Sequence, residues 1–289
     1  MGTYSIKELE RLSGIKAHTI RIWEKRYGLI EPQRTTTNIR LYSDHDLKKI
    51  INVSLLNNHG VKISHIAELD HQQLVQKVFE FAEKKTEADI YVNQLIVCMI
   101  DLDEDVFERQ LTKLTQILGM ERVITEVIFP FLDRIGILWQ TNNITPAQEH
   151  FISNLVRQKL IVAIDSLPLP KKGSKSAILF LPENELHEIG LLFCYYLLKK
   201  DGIRVFYLGQ MVPYEDVRAI GNSHHPDLFV TSIISERLPK DLQNYINTLS
   251  NDFPTASVIA TGAVLSRVAL KFPPNFHLAD NILKVRDFV

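Results

Sequence analysis

The sequence predicts a multidomain chain, α in its first two parts and α/β in its last, on three observations. Residues 5–42 hold two short helical patterns joined by Ser13-Gly14-Ile15 and followed by two extended arms, the spacing of a winged helix-turn-helix. Residues 70–165 carry apolar side chains at three- and four-residue intervals throughout, as packed helices do. Beyond a Pro-, Lys- and Ser-rich stretch at 166–176, short apolar runs alternate with helical patterns, the signature of a doubly wound parallel sheet of the flavodoxin-like kind. The implied domains are 1–70, a winged helix-turn-helix; 71–166, a four-helix bundle; and 175–289, the Rossmann-like sheet domain.

Each element has a local reason. Ser5 and Glu8 form the capping-box pattern that opens a helix over 6–12. A second helix, Ala17–Tyr27, ends at Gly28, and Pro32 breaks the chain again. Arms within 34–42, on either side of Thr36-Thr37-Asn38, read as a hairpin wing. Ser43-Asp44 caps a third helix reaching Asn58, and 63–69 forms a fourth. A linking helix at 74–83 precedes the bundle helices 90–99, 106–118, 122–138 and 149–164. The sheet domain then runs as strand 177–181, helix 187–200, strand 205–208, helix 214–222, strand Leu228–Ser232, helix 240–251, strand Ser257–Thr261, a helix near Arg267 and strand Phe276–Leu278. In such a fold ligands bind at the carboxyl ends of the strands, where Glu185 and His187 fall.

Composition narrows the function classes. The chain has 289 residues, 45% apolar and 23% charged, enough for several domains with true cores. Its net charge is −1, but residues 1–60 carry +4 and the remainder −5, so the amino end is the nucleic-acid end. Cys98 and Cys194 both lie in apolar helical patterns and read as buried structural thiols, which excludes a disulfide framework and a thiolate zinc site. The first residues hold no apolar signal core and no run of about 18 apolar residues occurs, so the expectation is a cytoplasmic protein without a membrane span.

The segment from Thr19 to Pro32, TIRIWEKRYGLIEP, together with Arg40-x-Tyr42, resembles the MerR family of bacterial regulators over roughly the first 70 residues. That resemblance implies a second helix in the major groove of a double-stranded DNA operator. His18, Thr19 and Arg21 would then meet base edges, with Lys25, Arg26, Arg34 and Arg40 on phosphates, and Tyr42 of the wing motif is counted among the DNA-binding residues. Trp23 and Tyr27, one helical turn apart, read as core rather than DNA-stacking residues. The long coil through which most MerR proteins dimerise has no counterpart in a sustained heptad run here, so a homo-oligomer, dimer or tetramer, is expected to pair through the bundle or the sheet domain.

A bundle followed by a parallel-sheet domain resembles a cobalamin-binding module across 70–289. The family carries D-x-H-x-x-G, whose His ligates cobalt; here Glu185, His187 and Gly190 occupy those places, so His187 is the implied metal ligand. A carboxylate two residues from a ligating His accepts its other N–H, fixing the tautomer and raising its basicity. Two motifs around the cofactor's nucleotide tail are partly kept, as Ser232-Ile233-Ile234 and Thr261-Gly262. In the bundle, Trp139 followed by Glu149 and His150 is similar to the motif of the CarH/LitR photoreceptors, a MerR subgroup that binds adenosylcobalamin. The similarity implies that Trp139 covers the adenosyl group while Glu149 and His150 bond around its sugar and base. The position after the Trp, where that subgroup has a second His, is Gln140.

Together these features describe a DNA-binding transcription regulator, a repressor, controlled by adenosylcobalamin and light through oligomer assembly. The alternative is a cobalamin-independent regulator of MerR type that uses a degenerate cobalamin-binding fold to oligomerise. A cobalamin enzyme subunit is disfavoured by the DNA-binding end and the lack of a catalytic barrel, so no catalytic residue is expected.

Overall fold

The computed structural model describes residues 3–35, 38–58, 60–84, 88–140, 144–235 and 237–289, without the side chains of residues 3, 11, 58, 75, 79–84, 136–140 and 263. Two compact units are present, Met1–Leu155 and Val156–Val289.

The first unit opens with β1 (Thr3–Tyr4), α1 (Ile6–Ser13) and α2 (Ala17–Tyr27). The capping box forms as read: Ser5 accepts from the Glu8 N–H and Glu8 returns to the Ser5 N–H. Gly14 and Gly28 end their helices in the left-handed conformation, with φ of 74° and 58°. The wing, β2 (Gln33–Arg34) and β3 (Arg40–Ser43), is joined by β1 on its other side, giving the order β1-β3-β2. β1 was not legible as a strand; it is two residues long and exists by pairing Tyr4 with Tyr42. The wing tip, Thr36 and Thr37, lies outside the described residues.

Next come α3 (Asp44–Asn58), α4 (Ile63–Ala67), α5 (His71–Lys84), α6 (Ala88–Asp101) and α7 (Glu104–Leu118). α3 is apolar on nearly all sides, with Leu47, Ile50, Ile51, Val53 and Leu56 fully buried, because it packs on α1 of the reader and on α5 and α6. A helix expected over 122–138 is divided into α8 (Met120–Arg122), a π-helical segment (Val123–Ile128) and α9 (Phe129–Gln140). The β-branched run Val123-Ile124-Thr125 weakens the α preference there, and Thr125 Oγ1 turns back to the Glu121 carbonyl. α10 (Pro146–Asp165) starts at a second box, in which Thr145 and Gln148 cap one another's N–H, and continues into the second unit.

The second unit is a five-stranded parallel sheet in the order β5-β4-β6-β7-β8, formed by β4 (Ser176–Pro182), β5 (Arg204–Val212), β6 (Leu228–Ser232), β7 (Ser257–Thr261) and β8 (Phe276–Leu278). The helices are α11 (Ile189–Lys200), α12 (Tyr214–His224), α13 (Pro239–Asp252) and α14 (Ala263–Arg267), with a 3₁₀ helix at Ile282–Phe288. One face of the sheet packs Ile178, Phe180 and Phe229 with Val217 and Leu242, and the other packs Leu179 and Val230 with Leu191, Cys194 and Val285. β5 runs four residues past the expected Leu208, because a register shift at Gly209, φ 84°, carries the pairing on to Val212. Cys98 and Cys194 are buried and unoxidised, and burial pushes both thiols up to about 12.

Candidate functional site

The first surface is the exposed face of α2. His18, Arg21, Lys25 and Arg26 are exposed along it and Thr19 is half-buried, its hydroxyl 3.3 Å from His18 Nε2. Trp23 is buried, as its core reading requires. Ile22, 53% exposed, is an apolar member of this face that charge-based reasoning missed. Arg34 is exposed on the wing and donates to Asn38 Oδ1 at 2.6 Å. Arg40 and Tyr42 are placed differently from Arg34. Arg40 Nε donates to both oxygens of Glu24 at 3.1 Å, and the hydroxyl of fully buried Tyr42 donates to Glu24 Oε2 at 3.3 Å. Tyr42 is thus a brace between wing and helix rather than a DNA contact, and burial, with Glu24 beside it, pushes its phenol up to about 12.

The second site is the loop after β4. His187 was expected to open a helix, but α11 begins only at Ile189, because Glu185 captures the backbone first. Its carboxylate is completely buried. Oε1 accepts from the N–H groups of Leu186 and His187 at 3.1 Å and from the Ser235 hydroxyl at 3.1 Å; Oε2 accepts from the N–H groups of Ile234 and Ser235 at 2.8 Å. The same Oε1 lies 2.6 Å from His187 Nδ1. Burial alone would raise this carboxyl, but the bonds from His187, Ser235 and Ile234 overcome it and hold the group near 2, lowered to about 2. An ionised acceptor at Nδ1 selects the tautomer whose lone pair is on Nε2, and the imidazole side chain is 60% exposed. The longer Glu in place of Asp therefore keeps the bond.

Neighbours that no motif announced complete the loop. Gln210 Nε2 donates to the Leu186 carbonyl at 2.6 Å, while Glu188 accepts from Arg157 Nε and from Tyr207 Oη, the latter at 3.0 Å. Leu186, Met211 and Ile234, at the carboxyl ends of three adjacent strands, are 57%, 49% and 42% exposed, an apolar rim around the imidazole.

Strand alternation puts Ser232 and Thr261, both buried, on the α11 face of the sheet, toward Gly190. Gly262 has φ 123°, and a Cβ there would stand 2.0 Å from the Ile233 carbonyl oxygen, so its glycine is required by the loop that carries Ile234 and Ser235. A Cβ on Gly190 would meet only Ile282 Cδ1, at 3.5 Å.

In the bundle, Glu149 and His150 lie in the first turns of α10, with Glu149 Oε2 3.1 Å from His150 Nδ1 and Oε1 accepting from Ser153 Oγ at 2.5 Å. Trp139 and Gln140 close α9, and their side chains fall outside the described residues.

Residues 4–73 match the family model for the MerR HTH family regulatory protein, and residues 91–163 match that for a B12 binding domain. The chain joins a MerR-type DNA reader to a cobalamin-binding domain. The HTH-type transcriptional repressor CarH of Myxococcus xanthus is 29% identical over 271 residues, covering 92% of this chain and 90% of that protein. The HTH-type transcriptional repressor CarA of the same organism is 27% identical over 246 residues, covering 84% and 81%. The monomethylamine corrinoid protein of Methanosarcina barkeri superposes with a TM-score of 0.53 over 73% of this chain and 96% of that one, at 17% identity, which shows a shared fold. This MerR-type chain is thus a DNA-binding transcription regulator with a cobalamin-binding domain.

The residues at the loop fit such a cofactor. Among the described residues no cluster of three or more His, Cys, Asp or Glu is set to hold a bare metal ion. His187 offers an exposed imidazole with a nitrogen lone pair beside apolar side chains, a donor set that would suit such a cofactor. Among the described residues no helix is long and apolar enough to cross a membrane.

Proposed function

We propose that this protein is a transcriptional repressor, not an enzyme, that binds a double-stranded operator as a homo-oligomer and is controlled by adenosylcobalamin and light. The observation that carries the cofactor reading is the buried Glu185 holding His187 Nδ1, which aims Nε2 outward from the apolar rim. His187 would hold the cobalt through Nε2, with Glu185 as its orienting partner. Ser232, Thr261, Gly262 and Gly190 are assigned to the nucleotide tail, which they would border. Trp139, Glu149 and His150 are assigned to the adenosyl group. When bound, adenosylcobalamin supplies a carbon–cobalt bond that visible light cleaves. The protein's part is to hold one assembly while the adenosyl group is in place and to lose it afterwards; moving from mostly bound to mostly free takes about 5.5 kcal/mol of differential stabilisation.

On DNA, His18, Thr19 and Arg21 read base edges, Ile22 adds an apolar contact, and Lys25, Arg26 and Arg34 meet phosphates. Arg40 reaches the backbone only as part of the Glu24 brace.

Gel shift and light scattering of cofactor-loaded protein, dark and then green-lit, test the reading. The expected result is a large assembly on DNA in darkness and a smaller, released form after light. Equal mass and affinity in both overturn light control; His187→Ala, expected to lose the spectrum of His-ligated cobalt, tests the ligand separately. A second reading, a regulator that keeps the fold without cofactor, is favoured by one observation: the glycine at 262 is explained by the protein's own packing against Ile233. Failure of adenosylcobalamin to co-elute with the chain would select it.

A further inference from the structure

Three residues beside His187 fasten its loop: Glu185 to the turn after β6, the Leu186 carbonyl to Gln210 of β5, and Glu188 to Arg157 of α10 with Tyr207 of β5. The last fastening is the least expected. Glu188 stands at the N-cap position of α11, and its side chain makes no cap bond there. It is 7% exposed and turned toward Arg157 and Tyr207 instead. Such an ion pair adds little net stability, because water screens the half-exposed Arg157 and desolvation costs the buried Glu188, but a guanidinium and a phenol impose direction on the carboxylate they share. Both partners are themselves held. The end of α10 is bound by buried Lys199, whose Nζ donates to the Ile164 carbonyl at 2.7 Å, and the Tyr207 ring stacks on Tyr195 at 5.5 Å between centroids.

We propose that Arg157, acting through Glu188 together with Tyr207, is a positioning residue for His187, fixing the backbone from which the imidazole reaches the cobalt of a bound corrinoid. The proposal rests on the cobalamin reading above. Glu185 sets which nitrogen carries the proton, whereas Arg157 sets where the ring stands, so the two should fail differently. Loss of Glu185 alters the donor strength of the imidazole; loss of Arg157 alters the fraction of molecules in which it is ligated at all.

The full chain, labelled with heavy nitrogen in histidine and loaded with cobalt(II) cobalamin, provides the test by electron paramagnetic resonance, which resolves a nitrogen nucleus bound to cobalt. The unmodified protein is expected to show histidine nitrogen coupling. Arg157→Ala should lower the ligated fraction about tenfold, the low end for loss of an outer partner of a metal ligand. Glu188→Gln should do the same, and the double variant no more than either alone, since the pair acts as one unit. Circular dichroism confirms that the variants fold. If Arg157→Ala does not fold, Tyr207→Phe, which deletes one hydroxyl, must still reduce the ligated fraction. A ligated fraction unchanged in the folded variants, or losses that add in the double variant, overturns the role of Arg157. Co-elution of cobalamin with the unmodified protein without any histidine coupling overturns the ligation by His187 itself, and with it this proposal.

Discussion

Gly262 shows how a single missing side chain can govern a site from a distance. Its backbone touches Ile233, whose N–H donates to the Thr261 carbonyl at 2.8 Å, and the next two N–H groups in that turn hold Glu185. Gly262→Ala should therefore destabilise the sheet unit by about 3 kcal/mol, from backbone strain plus displacement of the turn. It should also weaken cobalamin binding, although residue 262 makes no bond to His187. Urea unfolding followed by fluorescence checks the first effect and equilibrium dialysis the second; a change under about 0.5 kcal/mol, the ordinary surface level, would contradict the tight contact. At this scale the sequence exposed what sits on short spacing. Glu185, His187 and Gly190 lie within six residues, and the hydrogen bond between the first two follows from that adjacency. Ser235, Gln210 and Arg157 were illegible because they reach the loop across 50, 24 and 31 residues of chain, distances that no local spacing encodes.

Between α2 and the wing, Glu24 occupies a position where simple electrostatics misleads. A carboxylate near a DNA-reading face repels phosphates, so its removal might be thought to tighten binding. The structure gives the opposite sign, because Glu24 is the shared acceptor of Arg40 and Tyr42 and fixes the wing relative to α2. Glu24→Ala should lower operator affinity about tenfold while leaving the salt slope within one phosphate contact of the parent, about 0.9 in log K against log salt. Titrations by fluorescence anisotropy at several salt concentrations decide it; tighter binding would sink the brace. Helix starts were readable at Ser5 and Ser43, where a capping residue was recognised, whereas α10 was read from 149 although Thr145 and Gln148 cap it at Pro146. The π-helical turn and the extension of β5 were not readable, since each depends on packing against neighbours rather than on any residue that signals it.

For the molecule as a whole, the reader and the bundle fold as one compact unit, with α3 common to both. Domain limits taken from sequence texture separate 1–70 from 71–166, because the change from wing to helices is visible there while the sharing of α3 is not. Lys48 of α3 pairs with Asp101 at the end of α6, adding a polar tie to the apolar one. Amides of α3 and α6 should accordingly exchange with deuterium at a common opening free energy, since a shared core opens as one cooperative element. Mass-spectrometric exchange that protects α6 while α3 opens freely would disprove the shared core. The apolar girth of α3 also limits how such proteins can be rebuilt. A reader cut from this chain at residue 70 and grafted to another sensor would expose the part of α3 that α5 and α6 cover to surfaces it did not evolve against. Chimeras should stay well behaved only when the splice preserves α5 and α6 with the reader, which makes the exchangeable cassette about a third of the chain rather than its first quarter.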